Sequence, residues 1–97
     1  MKNKIITSAA LQINPEFINE VLPLAIETRN HILLEEGCES FVLMRKKEEP
    51  NTIVIFAVYT SKEKYDWHLE QHYVKTFFAF LNDKLAAAPE VTYLEEI

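Results

Sequence analysis

His68 and His72 stand four residues apart in a stretch, Tyr65 to Phe80, that also holds six of the chain's eleven aromatic residues: Tyr65, Trp67, Tyr73, Phe77, Phe78 and Phe80. A helix brings residues three and four apart onto one face, which would line up Tyr65, His68, His72 and Thr76. Aromatic walls with one or two imidazoles suit an apolar organic ligand. His68 and His72 are the candidate catalytic residues. Tyr65, Trp67, Tyr73 and Phe77, with Ser8 from the first strand, are the candidate substrate-binding residues. The plainer account has Phe77, Phe78 and Leu81 packing helix on sheet, with the histidines as hydrogen-bonded or solvent-facing side chains.

Other chemistries have weaker support in these residues. Two histidines at this spacing can share a zinc ion, but His68-Leu69-Glu70-Gln71-His72 carries Leu69 where the metalloprotease signature requires Glu. His31 and Cys38 add no ligand spacing, so no metal is expected. Cys38 is the lone cysteine, which excludes a disulfide framework and a four-thiolate site. Its place after Gly37, at the opening of a strand, suits an inert thiol. Ser8 lacks the partners of a nucleophilic triad. A single glycine excludes a glycine-rich phosphate loop. The pairs Glu35-Glu36 and Glu48-Glu49 read as solvated surface.

These residues must be positioned by a small scaffold. Ninety-seven residues with 48% hydrophobic and 26% charged content make one folded domain spanning 1–97. A chain of this size buries about two-thirds of its unfolded surface, where pairing with another copy often helps. A net charge of −5 opposes nucleic-acid binding. Lys2 and Lys4 precede an apolar stretch broken by Thr7, Ser8 and Gln12, too short and too polar for a signal peptide or a membrane span. No membrane partner and a cytoplasmic location are expected.

Residues 4–13 alternate as a strand, with Ile5, Thr7, Ala9, Leu11 and Ile13 on one side. Asn14-Pro15-Glu16 supplies a cap, a first-turn proline and an acid for a helix in which Pro23 should make a kink. Gly37 should end it in a left-handed conformation. A strand over 39–47, a hairpin loop through Pro50 and the uncharged strand Thr52 to Thr60 follow. Ser61 caps a helical region broken near Gln71 and reaching about Leu85, and Val91 to Glu95 forms the last strand. The order is βαββαβ, an α+β arrangement with a four-stranded antiparallel sheet and its helices on one face. The nine uncharged residues Thr52 to Thr60 imply that both faces of their strand are covered. Two helical elements cover one. A second copy of the chain is the expected cover for the other, giving a homodimer through the open sheet face.

Glu35-Glu36-Gly37-Cys38 before a strand, Val54-Ile55-Phe56, the Ser-Lys-Glu start at Ser61, His68, His72-Tyr73, Phe77 to Phe80 and Pro89-Glu90-Val91 together resemble the antibiotic biosynthesis monooxygenase domain family. The resemblance spans residues 4–96. It implies a ferredoxin-like dimeric α+β barrel and a cofactor-independent monooxygenase acting on a small aromatic or quinol-type ligand. His68 or His72 would then act as base. Relatives include an isomerase and haem-degrading enzymes, so a non-oxidative isomerase or a small-ligand-binding protein is the alternative, with haem a further one.

Overall fold

The structure, a computed structural model, describes residues 3–97; Lys2, counted above among the N-terminal charges, lies outside them. Strand β1 (Ile5–Gln12) leads through one 3-10 turn (Pro15–Phe17) into α1 (Ile18–Ile32), followed by β2 (Cys38–Arg45), β3 (Thr52–Tyr59), α2 (Lys62–Leu69), α3 (His72–Leu81) and β4 (Glu90–Leu94). The strands form one antiparallel sheet in the order β2-β3-β1-β4. This is the ferredoxin-like α+β fold expected from the element order.

Register decides which side chains share a face. Ile5 pairs with Tyr59 and the ladder runs without a slip to Gln12 opposite Thr52. Thr7, Ala9 and Leu11 therefore stand beside Ala57, Ile55 and Ile53. This side packs under the helices, where Leu11, Ile13, Ile53 and Ile55 meet Val21, Ala25, Phe77 and Leu81. Helix α1 contributes a buried stripe at four-, three- and four-residue steps, Val21, Ala25, Thr28 and Ile32. Burial in β3 alternates: Ile53, Ile55, Ala57 and Tyr59 are buried, and Val54, Phe56 and Val58 only half-buried. One chain thus covers one face. Ile6, Val42, Met44, Val54, Phe56 and Val58 make the other side apolar without a cover from the described residues.

Two local expectations, the Asn14 cap and the left-handed Gly37, are corrected. Asn14 does not cap the helix; its amide donates to the Leu85 carbonyl at 3.5 Å, tying the helix entry to the far end of the chain. Helix α1 is continuous from Ile18 to Ile32 through Pro23, which lies on the exposed side with Asn19. Water can there satisfy the carbonyl that the proline leaves without a donor. Gly37 has no positive φ. Its small size is needed for another reason, since a Cβ at this position would stand 2.3 Å from the Lys64 Cβ on α2. The expected Ser61 cap is present, with the Lys64 N–H donating to its Oγ at 3.2 Å. The expected break near Gln71 separates α2 from α3. Among the described residues, no helix is long and apolar enough to cross a membrane.

Candidate active site

Small residues open a space under the helices. Ala9 on β1, Ala57 on β3 and Ala25 on α1 face one another across a cavity of about 90 Å³, where longer side chains would fill the core. Its walls are mostly apolar, among them Ile55, Val74 and Phe77, and the half-exposed Leu69, Phe78 and Val91 also line it. Polar side-chain atoms come from Thr7, Thr28, Tyr59, Tyr65 and His68. No lysine, arginine, aspartate or glutamate is among its lining residues.

His68 is the buried residue of α2, and hydrogen bonds hold its imidazole on both sides. Nδ1 lies 3.0 Å from each oxygen of Glu35, and Nε2 lies 3.1 Å from the Tyr59 hydroxyl. The Tyr73 hydroxyl donates to the second Glu35 oxygen at 2.5 Å. Burying a carboxylate is costly unless its lone pairs are used, and here an imidazole and a phenol use them. A neutral imidazole has one donor and one acceptor nitrogen, so whichever nitrogen carries the proton, one of the two contacts, to Glu35 or to Tyr59, takes the ring's N–H and the other its lone pair. No buried side-chain nitrogen or oxygen among the described residues lacks a partner.

Burial, with the neighbouring Cys38 and Glu35 as lesser causes, pushes the Tyr59 phenol well above its ordinary pKa of 10.0. Tyr65 is pushed the same way by burial and by its hydrogen bond to Tyr93, and Tyr73 by burial and its bond to Glu35. Burial and Glu35 also raise the Cys38 thiol, which keeps it protonated and unreactive near neutrality.

Of the residues singled out from the sequence, His68, Tyr65 and Phe77 meet at the cavity. The Tyr65 ring lies 5.2 Å from that of Tyr59 and 6.2 Å from that of His68, and its hydroxyl meets the Tyr93 hydroxyl at 3.1 Å. Tyr73 reaches the site from behind, through Glu35, while its ring stacks on His31 at 5.2 Å.

The other three stand elsewhere. His72 opens α3 on the exposed side, its Nε2 3.4 Å from the Thr76 hydroxyl, because the break at Gln71 ends the helical stripe that would have aligned it with His68. Trp67 is 52% exposed and lies over a surface hollow with Lys64 and Glu63. Ser8 faces away from the cavity between Phe56 and Thr92, since strand alternation puts Thr7 and Ala9 on the helix side.

Glu35, Tyr59, Thr7 and Thr28 went unrecognised in the sequence. The parity of β3 placed Tyr59 with Ile53, Ile55 and Ala57, and the stripe of α1 placed Thr28 with Ala25 and Ile32, so both had a readable signal. Glu35, expected at the surface, is buried; a charged pair in a short polar turn gives no sign of that.

No group of three or more His, Cys, Asp or Glu among the described residues could hold a metal ion. Haem does not fit the residues present: the Nε2 that would meet its iron is taken by Tyr59, and no cation lines the cavity to receive propionates.

The family model of Antibiotic biosynthesis monooxygenase matches residues 5–79. A conserved protein from Methanosarcina mazei is similar with a TM-score of 0.92 at 22% identity, over 99% of this chain and 95% of that one. A crystal structure described as an antibiotic biosynthesis monooxygenase gives 0.92 at 20% identity, over 96% and 98%. A Mycobacterium tuberculosis protein, Rv0793, gives 0.91 at 20%, over 97% and 95%. No curated protein matches the chain in sequence.

Proposed function

The chain belongs to the antibiotic biosynthesis monooxygenase family, and on that premise we propose that it is a cofactor-independent monooxygenase acting on a small aromatic or quinol-type substrate held between helices and sheet. The observation that carries this reading is the buried Glu35–His68–Tyr59 chain ending at an apolar cavity. Such a substrate needs an apolar enclosure and a base for its hydroxyl, and the apolar cavity with the His68 imidazole at its wall supports this reading.

The chemistry is set by oxygen. Triplet O₂ reacts poorly with closed-shell molecules, but an electron-rich phenolate can give it one electron. The substrate hydroxyl donates to the Tyr59 oxygen while the Tyr59 O–H passes its proton to His68 Nε2. The high pKa of Tyr59 disfavours a standing tyrosinate, so the two transfers proceed together. The phenolate then yields one electron to O₂, and the radical pair combines into a C–O bond. Proton return from the imidazolium gives a hydroperoxide. Loss of water leaves a carbonyl, with one oxygen atom in the product, the other in water, and all four electrons that reduce O₂ drawn from the substrate. The apolar walls keep bulk water from the radical pair.

The working unit of this proposal is a homodimer in the cytoplasm, with the apolar face around Val54, Phe56 and Val58 packed against the same face of a second copy. Oxygen uptake with a panel of dihydroxyarenes tests the activity. Uptake that depends on His68 supports it; turnover of a carbonyl substrate under nitrogen would replace it with an isomerase, and tight binding without turnover with a ligand-binding protein.

A further inference from the structure

The His68 ring could in principle carry its neutral-state proton on either nitrogen, and only one arrangement leaves a lone pair directed at Tyr59 and the cavity. We infer that Glu35 and Tyr73 act together as positioning residues that lock His68 in its Nδ1–H tautomer. Both Glu35 oxygens lie 3.0 Å from Nδ1, so either can receive that proton. One of the two also takes the Tyr73 O–H at 2.5 Å, which fixes the turn of the carboxyl group. Tyr73 is itself held, its ring stacked on His31 at 5.2 Å with the planes 24° apart. The carboxylate therefore cannot rotate freely, and it offers Nδ1 nothing but an acceptor. The geometry of the lock stands by itself; its use in deprotonating a ligand rests on the monooxygenase reading above.

The role of Tyr73 gives the lock a specific signature. In Glu35→Gln the amide oxygen is claimed by the Tyr73 O–H, which turns the amide NH₂ toward Nδ1. His68 must then accept at Nδ1 and carry its proton on Nε2, pointing a donor at Tyr59 and removing the base from the cavity. In the double variant Glu35→Gln with Tyr73→Phe nothing claims the amide oxygen, so it can turn back to Nδ1 and restore the first tautomer. A merely structural ion pair would give no such reversal.

Long-range ¹H–¹⁵N correlation spectra of the full-length protein at a pH where the ring is neutral read the tautomer directly. The wild type should show Nδ1 protonated and Nε2 bare, Glu35→Gln the reverse, and the double variant the wild-type pattern. Oxygen uptake with a dihydroxyarene should fall by about 100-fold or more in kcat, not KM, for Glu35→Gln and recover in the double variant. A wild-type ring protonated on Nε2, an unchanged ring in Glu35→Gln, or a double variant that stays reversed overturns the inference. The wild-type spectrum decides the first point even if the variants do not fold. Should the spectra follow the expected pattern while no dihydroxyarene consumes oxygen, the lock stands and the monooxygenase reading falls.

Discussion

The Glu35 carboxylate and the His68 imidazole, 33 residues apart in the chain, meet at 3.0 Å with side chains only 2% and 6% exposed. Removing one member of such a pair strands the other. His68→Leu would leave Glu35 buried with Tyr73 as its remaining side-chain partner, a loss of about 3–5 kcal/mol. His72→Leu, on the exposed start of α3, should stay within about 0.5 kcal/mol of wild type. Urea denaturation with unchanged m-values measures both, and equal midpoints for the two variants would contradict the burial of the Glu35–His68 pair.

The same contrast extends to activity. His68→Ala should reduce oxygen uptake with dihydroxyarenes by about 100-fold or more, and Tyr59→Phe, which cuts the link from cavity to imidazole, should do so comparably. His72→Ala and Trp67→Ala should leave it within about twofold, since neither side chain is among the cavity's lining residues. Steady-state rates under air decide this, with substrate held well above KM.

Why His68 and not His72 could be read only in part from the sequence is a matter of one break. The i, i+4 rule holds inside a helix, and α2 ends at Leu69. The break near Gln71 was itself legible, yet its rotation of His72 off the stripe depends on how α3 packs on α1 and the sheet. The sheet was legible throughout because strand parity is local: Thr7, Ala9 and Leu11 belong to one face whatever lies above them. Glu35 was illegible because its burial is created by His68 and Tyr73, which arrive from two separate helices 33 and 38 residues later. Gly37 was noticed for the wrong physics. Its need is set by Lys64 crossing above it, which no turn rule contains.

Three tyrosines with raised pKa values tie stability to alkaline pH. In Tyr59, Tyr65 and Tyr73 the folded state holds its phenolic proton more tightly than the unfolded chain, whose phenols ionise near 10.0. The unfolded state therefore binds fewer protons above that pH, and stability falls as pH rises from about 10 toward the folded values. Below pH 9 these groups contribute no pH dependence. Absorbance titration at 295 nm should show the phenols of Tyr59, Tyr65 and Tyr73 ionising late, with a steep rise as the fold opens. Ionisation of these three phenols centred on 10 without loss of helix signal would refute it.

Gly37→Ala tests the approach of α2 to the start of β2. The new methyl would lie 2.3 Å from the Lys64 Cβ, an atom fixed to its own backbone, so the helix or the strand must shift. Overpacking of this kind costs about 1–3 kcal/mol. Lys64→Gly in the same chain should recover part of that loss despite the helix penalty of glycine. Thermal denaturation of the two single variants and the pair gives the coupling directly, and simple additivity would deny the contact.

The open sheet face supplies the last prediction. Phe56 pairs with Ser8 on one side and Val42 on the other and points away from the helices, so its replacement leaves the core under α1 and α3 untouched. With Val54, Val58, Ile6 and Met44 around it, Phe56 sits in a patch that a folded monomer would leave to water. Two copies meeting face to face would bury this patch and meet the requirement of the uncharged strand for cover on both sides. Phe56→Asp would then place a carboxylate in the contact, and its counterpart from the second copy in the same layer, at a cost of several kcal/mol to association. Sedimentation at micromolar concentration should give twice 11.3 kDa for the wild type and a lone 11.3 kDa species for the variant, with similar far-UV spectra. A wild-type chain that stays single would remove the dimer, and a variant that remains paired would move the contact to another surface.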